Sequence, residues 1–467
     1  MSNRYLYLLL AAVLAIGIYI ILAFDGTGDS GDSVYHFLIA EGAPHHPELY
    51  FDHWGKPFFT LLASPFAQLG FNGIQFFNLL CTLLTIWLTV KTAEALGYQR
   101  NIWSGIFLLA APFVFQLIFS GLTEYLFGAL LILGVYLSVK RQFTWAALVI
   151  SLLPFVRSEG LIIIGVFGLF FLVEKRWWAC LWLLFGHVVY GLLGTPVHGS
   201  PFWVLGDIPY ATPASVYGSG KAFHFVEQLF YVIGPILFGL WIVGLLRYLA
   251  NLSALRREAK TYLRDKRLES ILVVGGFLAY FIAHSIFWYF GIFNSMGLKR
   301  VLIAVMPLCA IICLQGWQTI AQLEGRLWSE SWLSYAVLAA VLVLPFTSNK
   351  SALQLPQDFQ LNAEQRLFTQ VATYMQEQQL LPSQHRTFYA APYFGLLLPL
   401  DHFNPQEHLP LDSFALQNLQ PNDLVLWDNW YAPTDNGITL EDLIDSYSLK
   451  IIQEFQAQDS QVVLLKK

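Results

Sequence analysis

Eleven blocks of apolar sequence constrain this chain more than any other feature. A helix that crosses a bilayer needs about 20 predominantly apolar residues. The blocks run approximately over 5–23, 73–92, 103–119, 122–139, 143–156, 159–173, 178–194, 229–249, 270–290, 300–318 and 331–347. Those at 143–156 and 159–173 are short, which suits tilted helices or helices inside the bundle. Residues 57–70 are apolar too, but Pro57 and Pro65 interrupt them, so they read as an interfacial helix or as part of a longer second span. The first block is followed by no convincing small-residue cleavage site, and the chain goes on to span repeatedly, so it reads as a retained helix. The expected fold is an all-α polytopic bundle of about eleven transmembrane helices over residues 1–349.

Composition sharpens this. Of 467 residues, 56% are hydrophobic and 12% charged, which excludes an ordinary cytosolic enzyme and a disordered chain. The net charge of -5 gives no basic field for nucleic acid. Cys81, Cys180, Cys309 and Cys313 all lie in apolar runs and read as packing residues. With the N-terminus inside and helices alternating, 15 Lys and Arg fall on the inner side before residue 350 and 5 on the outer side. That bias matches the positive-inside rule. It also singles out the five outer cations, Lys56, Arg157, Lys221, Lys299 and Arg300. The loop 250–268 is a basic inner connector. After residue 350 the pattern changes: 350–467 holds 6 Lys+Arg against 14 Asp+Glu, with an amphipathic helix over 362–380 and strands near 386–391, 423–428, 449–455 and 461–465. This is a small soluble α/β domain, placed outside with the acidic loops 24–57 and 195–228.

Chemistry gathers on the outer face. Asp29 and Asp32 follow the first helix. A partly desolvated carboxylate there suits a general base, and either residue also suits a helix N-cap. His53-Trp54-Gly55-Lys56-Pro57 offers a compact cation for a lipid phosphate or a lysine snorkelling among headgroups. Arg157-Ser158-Glu159-Gly160 places opposite charges at a membrane face, where they pair or line a cavity. Glu124 opens a helix and is the natural structural partner of Arg157. Gly297-Leu298-Lys299-Arg300 puts two cations at an outer helix start, against the helix dipole, which an anionic ligand would explain, as would contacts with outer headgroups or the acidic tail. His36, His45, His46 and His53, with Asp32 or Glu48, offer metal ligands, but prolines flank His45 and His46 and the reading requires no metal. Tyr217-Gly218-Ser219-Gly220-Lys221 lacks P-loop spacing and reads as a mobile loop near the site. His187, His284, Glu94 and Glu174 read as packing or interfacial residues. Trp427, Asp428, Trp430 and Tyr431 suit sugar stacking or a domain surface.

The order of these elements resembles the GT-C class of polytopic glycosyltransferases that use polyprenyl-phosphate-linked sugars. Its family 39 branch, with the protein O-mannosyltransferases and the aminoarabinose transferase, is the nearest likeness. The resemblance covers roughly residues 1–320. It rests on Asp32-x-x-Tyr35, His53-Trp54-Gly55-Lys56-Pro57, Arg157-Ser158-Glu159-Gly160, and Gly297-Leu298-Lys299-Arg300 with Pro307. It implies that Asp32, with Asp29 in reserve, is the base that deprotonates an acceptor hydroxyl. It further implies inversion at the sugar, and contacts from Lys56, Arg300, Lys299 and Arg157 to the donor phosphate. Tyr35, His53, Glu124, Glu159, Tyr217 and Lys221 would support them. The leaving group is already a phosphate, so no metal is chemically required. The chain departs from the family where an adjacent acidic pair is replaced by Asp32-Ser33, and where Lys-Pro-Pro becomes Lys56-Pro57-Phe58. The implied partners are the lipid-linked donor, membrane lipids and a glycan, lipid or protein acceptor. The implied location is the bacterial inner membrane, N-terminus in the cytoplasm and tail outside. A secondary transporter or lipid flippase is the competing class, but the charges cluster at one face and no halves repeat. A scaffold presenting the tail is the third.

Overall fold

The computed structural model describes residues 3–209, 214–254, 266–327, 332–347, 353–354, 356–380 and 385–467. Most of the basic connector at 250–268 and the expected boundary between residues 349 and 350 lie outside them.

The first half is helical: α1 (Asn3–Ala23), α2 (Asp32–Gly42), α3 (Pro57–Ala67), α4 (Phe71–Ala95), α5 (Ile102–Leu109), α6 (Pro112–Gln116), α7 (Glu124–Val139), α8 (Phe143–Ile150) and α9 (Gly160–Val173). Residues 57–70 form their own helix. Pro57 sits in its first turn, where a missing N–H costs nothing, and Gly70 at φ +77° separates it from α4. Among the described residues, six helices are long and apolar enough to cross a membrane: Asn3–Ala23, Phe71–Ala95, Trp177–His198, His224–Ala250, Lys266–Phe290 and Lys299–Glu324. The apolar helices at Glu124–Val139, Phe143–Phe155, Gly160–Val173 and Trp332–Phe346 are shorter. At 1.5 Å per residue the 14 residues of α9 reach about 21 Å, less than the roughly 30 Å of hydrocarbon.

Burial separates centre from rim. Lys299–Glu324 is almost wholly enclosed, and α7 packs along α4 with Phe127, Leu131 and Ile132 buried. The helices of Asn3–Ala23 and Trp177–His198 instead turn Leu8, Tyr19, Leu22, Trp178, Leu181 and Leu192 outward. An apolar surface of this extent suits lipid and not water.

The tail opens with a helix, Ala363–Glu377, closed at its start by a reciprocal capping box between Asn362 and Gln365. The sheet has strand order β2-β1-β3-β5-β4, built from β1 (Thr387–Tyr389), β2 (His408–Pro410), β3 (Leu424–Asp428), β4 (Lys450–Ala457) and β5 (Ser460–Lys466). Strand β1 pairs parallel with β2 and β3, while β5 runs antiparallel to β3 and β4. The three-residue β2 carries no readable alternation, and sequence reasoning missed it. Alternation does the packing elsewhere. Phe388, Val425, Val463 and Leu465 fill the tail's own core, and Tyr389, Leu424, Leu426 and Leu464 face the core shared with the helices. The Gly26 N–H donates to Phe359 O at 2.9 Å, and Gln365 Nε2 donates to Thr27 Oγ1 at 2.7 Å. The tail is thus seated on the end of the bundle where α1 finishes and α7 and α9 begin.

Candidate active site

The turn after α1 sets the site. Ser33 Oγ donates to Thr27 O at 2.5 Å and accepts the Gly121 N–H at 2.7 Å, which pins the turn to the approach of α7. Gly28 lies at φ +83°, and a Cβ there would stand 2.7 Å from Ser120 Cβ, so both backbone and space call for glycine. Asp29 Oδ1 accepts the N–H groups of Gly31 at 3.0 Å and Ser33 at 2.9 Å. Asp29 therefore does the N-terminal work expected of these acids. Asp32 begins α2 without capping it, since no side chain caps Gly31.

Both carboxylates grip Arg300. Asp29 Oδ2 accepts from one terminal guanidinium nitrogen and Asp32 Oδ2 from the other. The remaining Arg300 nitrogen, Nε, lies 3.9 Å from Glu124 Oε1. Asp32 Oδ1 accepts no hydrogen bond among the described residues. The Asp32 side chain is 42% exposed, so it borders open space. Burial works to raise Asp32, but Arg300, with His36 and Arg157, holds it below the usual carboxylate range. Asp29 goes the other way. Burial, with the charge of Asp32 added, outweighs Arg300 and pushes it up to about 6.

A second knot lies beside the first. Arg157 forms an ion pair with Glu124 Oε1 at 2.8 Å and donates to Glu159 Oε1 at 2.9 Å and to Thr123 Oγ1 at 3.2 Å. The structural pairing of Arg157 with Glu124 is thus realised, inside the same cluster as Arg300. Burial would raise Glu159, but Arg157 holds it down to about 2. His284 Nε2 lies 3.7 Å from Glu159. From sequence His284 is expected to be a packing or interfacial residue, and nothing in its apolar helix signals this placement.

Lys56 sits at φ +66°, a conformation rare for a side-chain-bearing residue, and is 5% exposed. Its Nζ donates to His53 O at 2.9 Å and Ser158 Oγ at 3.2 Å. Burial pushes its ammonium down to about 8. His53 supports it through its carbonyl, while its own ring lies edge-on to Trp203. His36, one turn on from Asp32, stacks on Trp54 at 4.7 Å. Burial pushes it down to about 3; Asp32 opposes that shift, and Lys56, Arg157 and Arg300 add to it.

Other expected residues stand elsewhere. Lys299 turns away from Arg300, with Nζ 4.1 Å from the Phe113 ring and Asp358 as its charged neighbour, so it does not join the cluster. Lys221 is exposed. Tyr35 packs on Trp54 and His402, facing the tail. Tyr217 Oη donates to Asp435 Oδ1 at 2.8 Å, and its loop is tied back by Gly220 N–H to Trp288 O at 3.0 Å. The candidate metal histidines separate: His46 pairs with Asp401 at 2.8 Å, and His53 faces Val204 O at 3.4 Å. Among the described residues no three His, Cys, Asp or Glu side chains are grouped to hold a metal ion. Trp427 is buried, its Nε1 donating to Ile438 O at 2.9 Å, whereas Tyr431 reaches the turn at Gly31.

The fold as a whole has solved counterparts. ArnT from Cupriavidus metallidurans bound to undecaprenyl phosphate matches over 99% of this chain and 98% of its own, with TM-score 0.60 and 14% identity. The chain has the GT-C fold. The apo state of the same ArnT gives TM-score 0.60 at 12% identity. The Archaeoglobus fulgidus oligosaccharyltransferase in the apo form gives 0.52 at 12% identity, over 91% of this chain and 70% of that one. No protein-family profile matches the sequence, and no curated protein matches it either.

Proposed function

We propose that this GT-C protein is an inverting glycosyltransferase that moves a sugar from a polyprenyl-phosphate donor to an acceptor hydroxyl. The observation that carries this reading is the divided cluster around Arg300. One Asp32 oxygen has no partner among the described residues, Arg157 and Arg300 meet beside it at Glu124, and Lys56 reaches Ser158 next to Arg157. An ArnT of the same fold is described with undecaprenyl phosphate bound, and that donor class suits such a cation cluster. Asp32 Oδ1 takes the proton of the acceptor hydroxyl. The acceptor oxygen bonds to the anomeric carbon from the far side. The bond from that carbon to the phosphate oxygen breaks, and polyprenyl phosphate leaves with the electron pair. Lys56 and Arg157 stabilise the charge that grows on the phosphate, and Arg300 orients the two aspartates while presenting its remaining N–H groups.

In this reading the shorter apolar helices complete about eleven crossings. The N-terminus is cytoplasmic, and the tail and site are extracytoplasmic, as the bias of positive charge suggests. The membrane is a bacterial inner membrane, and the acceptor is a glycan, a lipid or a protein.

Native mass spectrometry of the protein purified from its own membranes tests the donor. Retained polyprenyl phosphate or its glycosylated form is expected, and Lys56→Ala should lose it. No binding at saturating added polyprenyl phosphate would defeat the reading. The pH profile gives a second expected result. Because burial lowers Lys56 to about 8, its cation is present below that pH and lost above it. Donor turnover should fall as pH rises through about 8. Lys56→Arg keeps its charge at any accessible pH, so it should move that limb upward. A limb that stays in place in this variant would assign it to another group.

A further inference from the structure

Lys56 does not hold its place alone. Its backbone, at φ 66° and ψ 92°, lies where side-chain-bearing residues are rare, and such a conformation persists only when its surroundings over-determine it. Its ammonium donates to the carbonyl of His53, three residues back in the same turn. Whatever fixes residues 51–53 therefore fixes the cation. Part of that hold is local. Asp52 Oδ1 accepts the Gly55 N–H at 2.5 Å, and Thr60 Oγ1 donates to Gly55 O at 2.9 Å. The rest comes from the second outer loop.

The helix Phe185–His198 ends at Gly199, left-handed at φ +74°, and the chain turns through Pro201 into the short helix Trp203–Gly206. Three contacts run from there to the Lys56 turn. His198 Nε2 donates to Phe51 O at 3.0 Å. The Trp203 ring lies edge-on to His53 at 5.6 Å. Val204 O faces His53 Nε2 at 3.4 Å. The segment is braced in turn. His198 stacks on Trp203, the rings 4.1 Å apart and 2° from parallel, and Trp203 Nε1 donates to Tyr190 O at 3.1 Å. His198 Nδ1 meets Asp207 Oδ2 at 3.1 Å. Phe51 O and Asp207 Oδ2 are both acceptors, so the ring serves both when each of its nitrogens carries a hydrogen. Among the described residues, no side-chain hydrogen bond or ion pair of His198, Trp203 or Asp207 reaches Asp32, Arg157 or Arg300. Their hold falls on the Lys56 turn.

We infer that His198 and Trp203 are positioning residues for Lys56, and that the segment 198–207 clamps the turn that seats its ammonium for the donor phosphate. This rests on the transferase reading above and deepens it. The test uses the full-length protein, undecaprenyl phosphate as the lipid and acetic anhydride as a lysine label. Affinity is titrated by native mass spectrometry, and acetylation is followed at Lys56, Lys266 and Lys299 by peptide mapping. His198→Phe keeps a ring to stack on Trp203 and loses both hydrogen bonds. It should weaken lipid binding about tenfold, the scale of one or two hydrogen bonds. Acetylation of Lys56 should rise several-fold while Lys266 and Lys299 stay as they were. His198→Gln returns an N–H donor to Phe51 O and should recover most of both readouts. The Asp207 side chain is 54% exposed, so Asp207→Ala should fold normally and shift both readouts the same way by less. A rise at all three lysines together would make the segment a fold contact only. Weaker lipid binding with Lys56 still protected would place the segment on the donor itself. No change in either readout would remove its hold on Lys56. Each of these overturns the inference. If the unaltered protein binds no undecaprenyl phosphate, the transferase reading falls, and acetylation alone still decides whether the segment holds Lys56.

Discussion

Asp32→Asn abolishes sugar transfer, a loss on the order of 10³-fold, while the protein still folds and still retains polyprenyl phosphate. The amide keeps the shape of the carboxylate and can still turn its oxygen toward Arg300. What it loses is Oδ1, the oxygen proposed to take the proton, which has no partner among the described residues. Arg300 holds the Asp32 carboxyl below its usual range against burial, so the base is ionised throughout the neutral region and sets no limb of the pH profile there. Asp29→Asn should behave differently. Asp29 has one oxygen committed to two backbone N–H groups and the other to Arg300, so it holds the turn and the arginine without an oxygen to spare. Its loss should lower turnover far less than the loss of Asp32. It should also leave Arg300 leaning wholly on Asp32. Single-turnover transfer, measured beside lipid retention, separates the two aspartates. Equal losses in the two variants, or near-normal turnover by Asp32→Asn, would remove Asp32 from the role of base.

What the sequence made legible follows from which signals are local. Apolar run length is local, and most helices lie where hydropathy puts them, but the block at 103–119 breaks into Ile102–Leu109 and Pro112–Gln116, where Pro112 opens a new helix. Charge bias is additive along the chain, so Lys56, Arg157 and Arg300 stand out because they oppose it; Arg157 and Arg300 meet at Glu124, and Lys56 reaches Ser158 next to Arg157. Lys299 opposes the same bias, yet its side chain takes the other face of the turn and rests on Phe113. Two adjacent residues in a tight helix start point in different directions, and no pattern of charge tells which one enters the cleft. The 57–70 segment was ambiguous for a related reason. Prolines mark a boundary without saying whether the chain continues, and the left-handed Gly70 settles it. Contacts that join distant segments were not readable at all. His284 reaches Glu159 across 125 residues of sequence, and Tyr431 reaches Gly31 across 400. Neither pairing leaves a periodic trace, and the tail's share of the site appears only once the sheet is seated on the bundle.

Arg157→Met should cost about 3–5 kcal/mol of stability, the largest structural effect expected of any single change in the cluster. Glu124 is fully buried at the start of α7, and neither of its carboxylate oxygens has a hydrogen bond. Its charge is balanced by Arg157 at 2.8 Å and, more weakly, by Arg300 at 3.9 Å. Removing Arg157 leaves Glu124 and Glu159 facing the same space with most of their compensation gone. The remedy tells a stability role from a catalytic one. Adding Glu124→Gln to Arg157→Met removes the stranded charge, so thermal stability in detergent should recover most of the loss. Activity should not recover, because the cation proposed to meet the donor phosphate is still missing. A double variant that regains turnover together with stability would make Arg157 a purely structural partner of Glu124. One that regains neither would mean that the buried pair does not behave as a pair, and that Arg157 is held chiefly by Glu159.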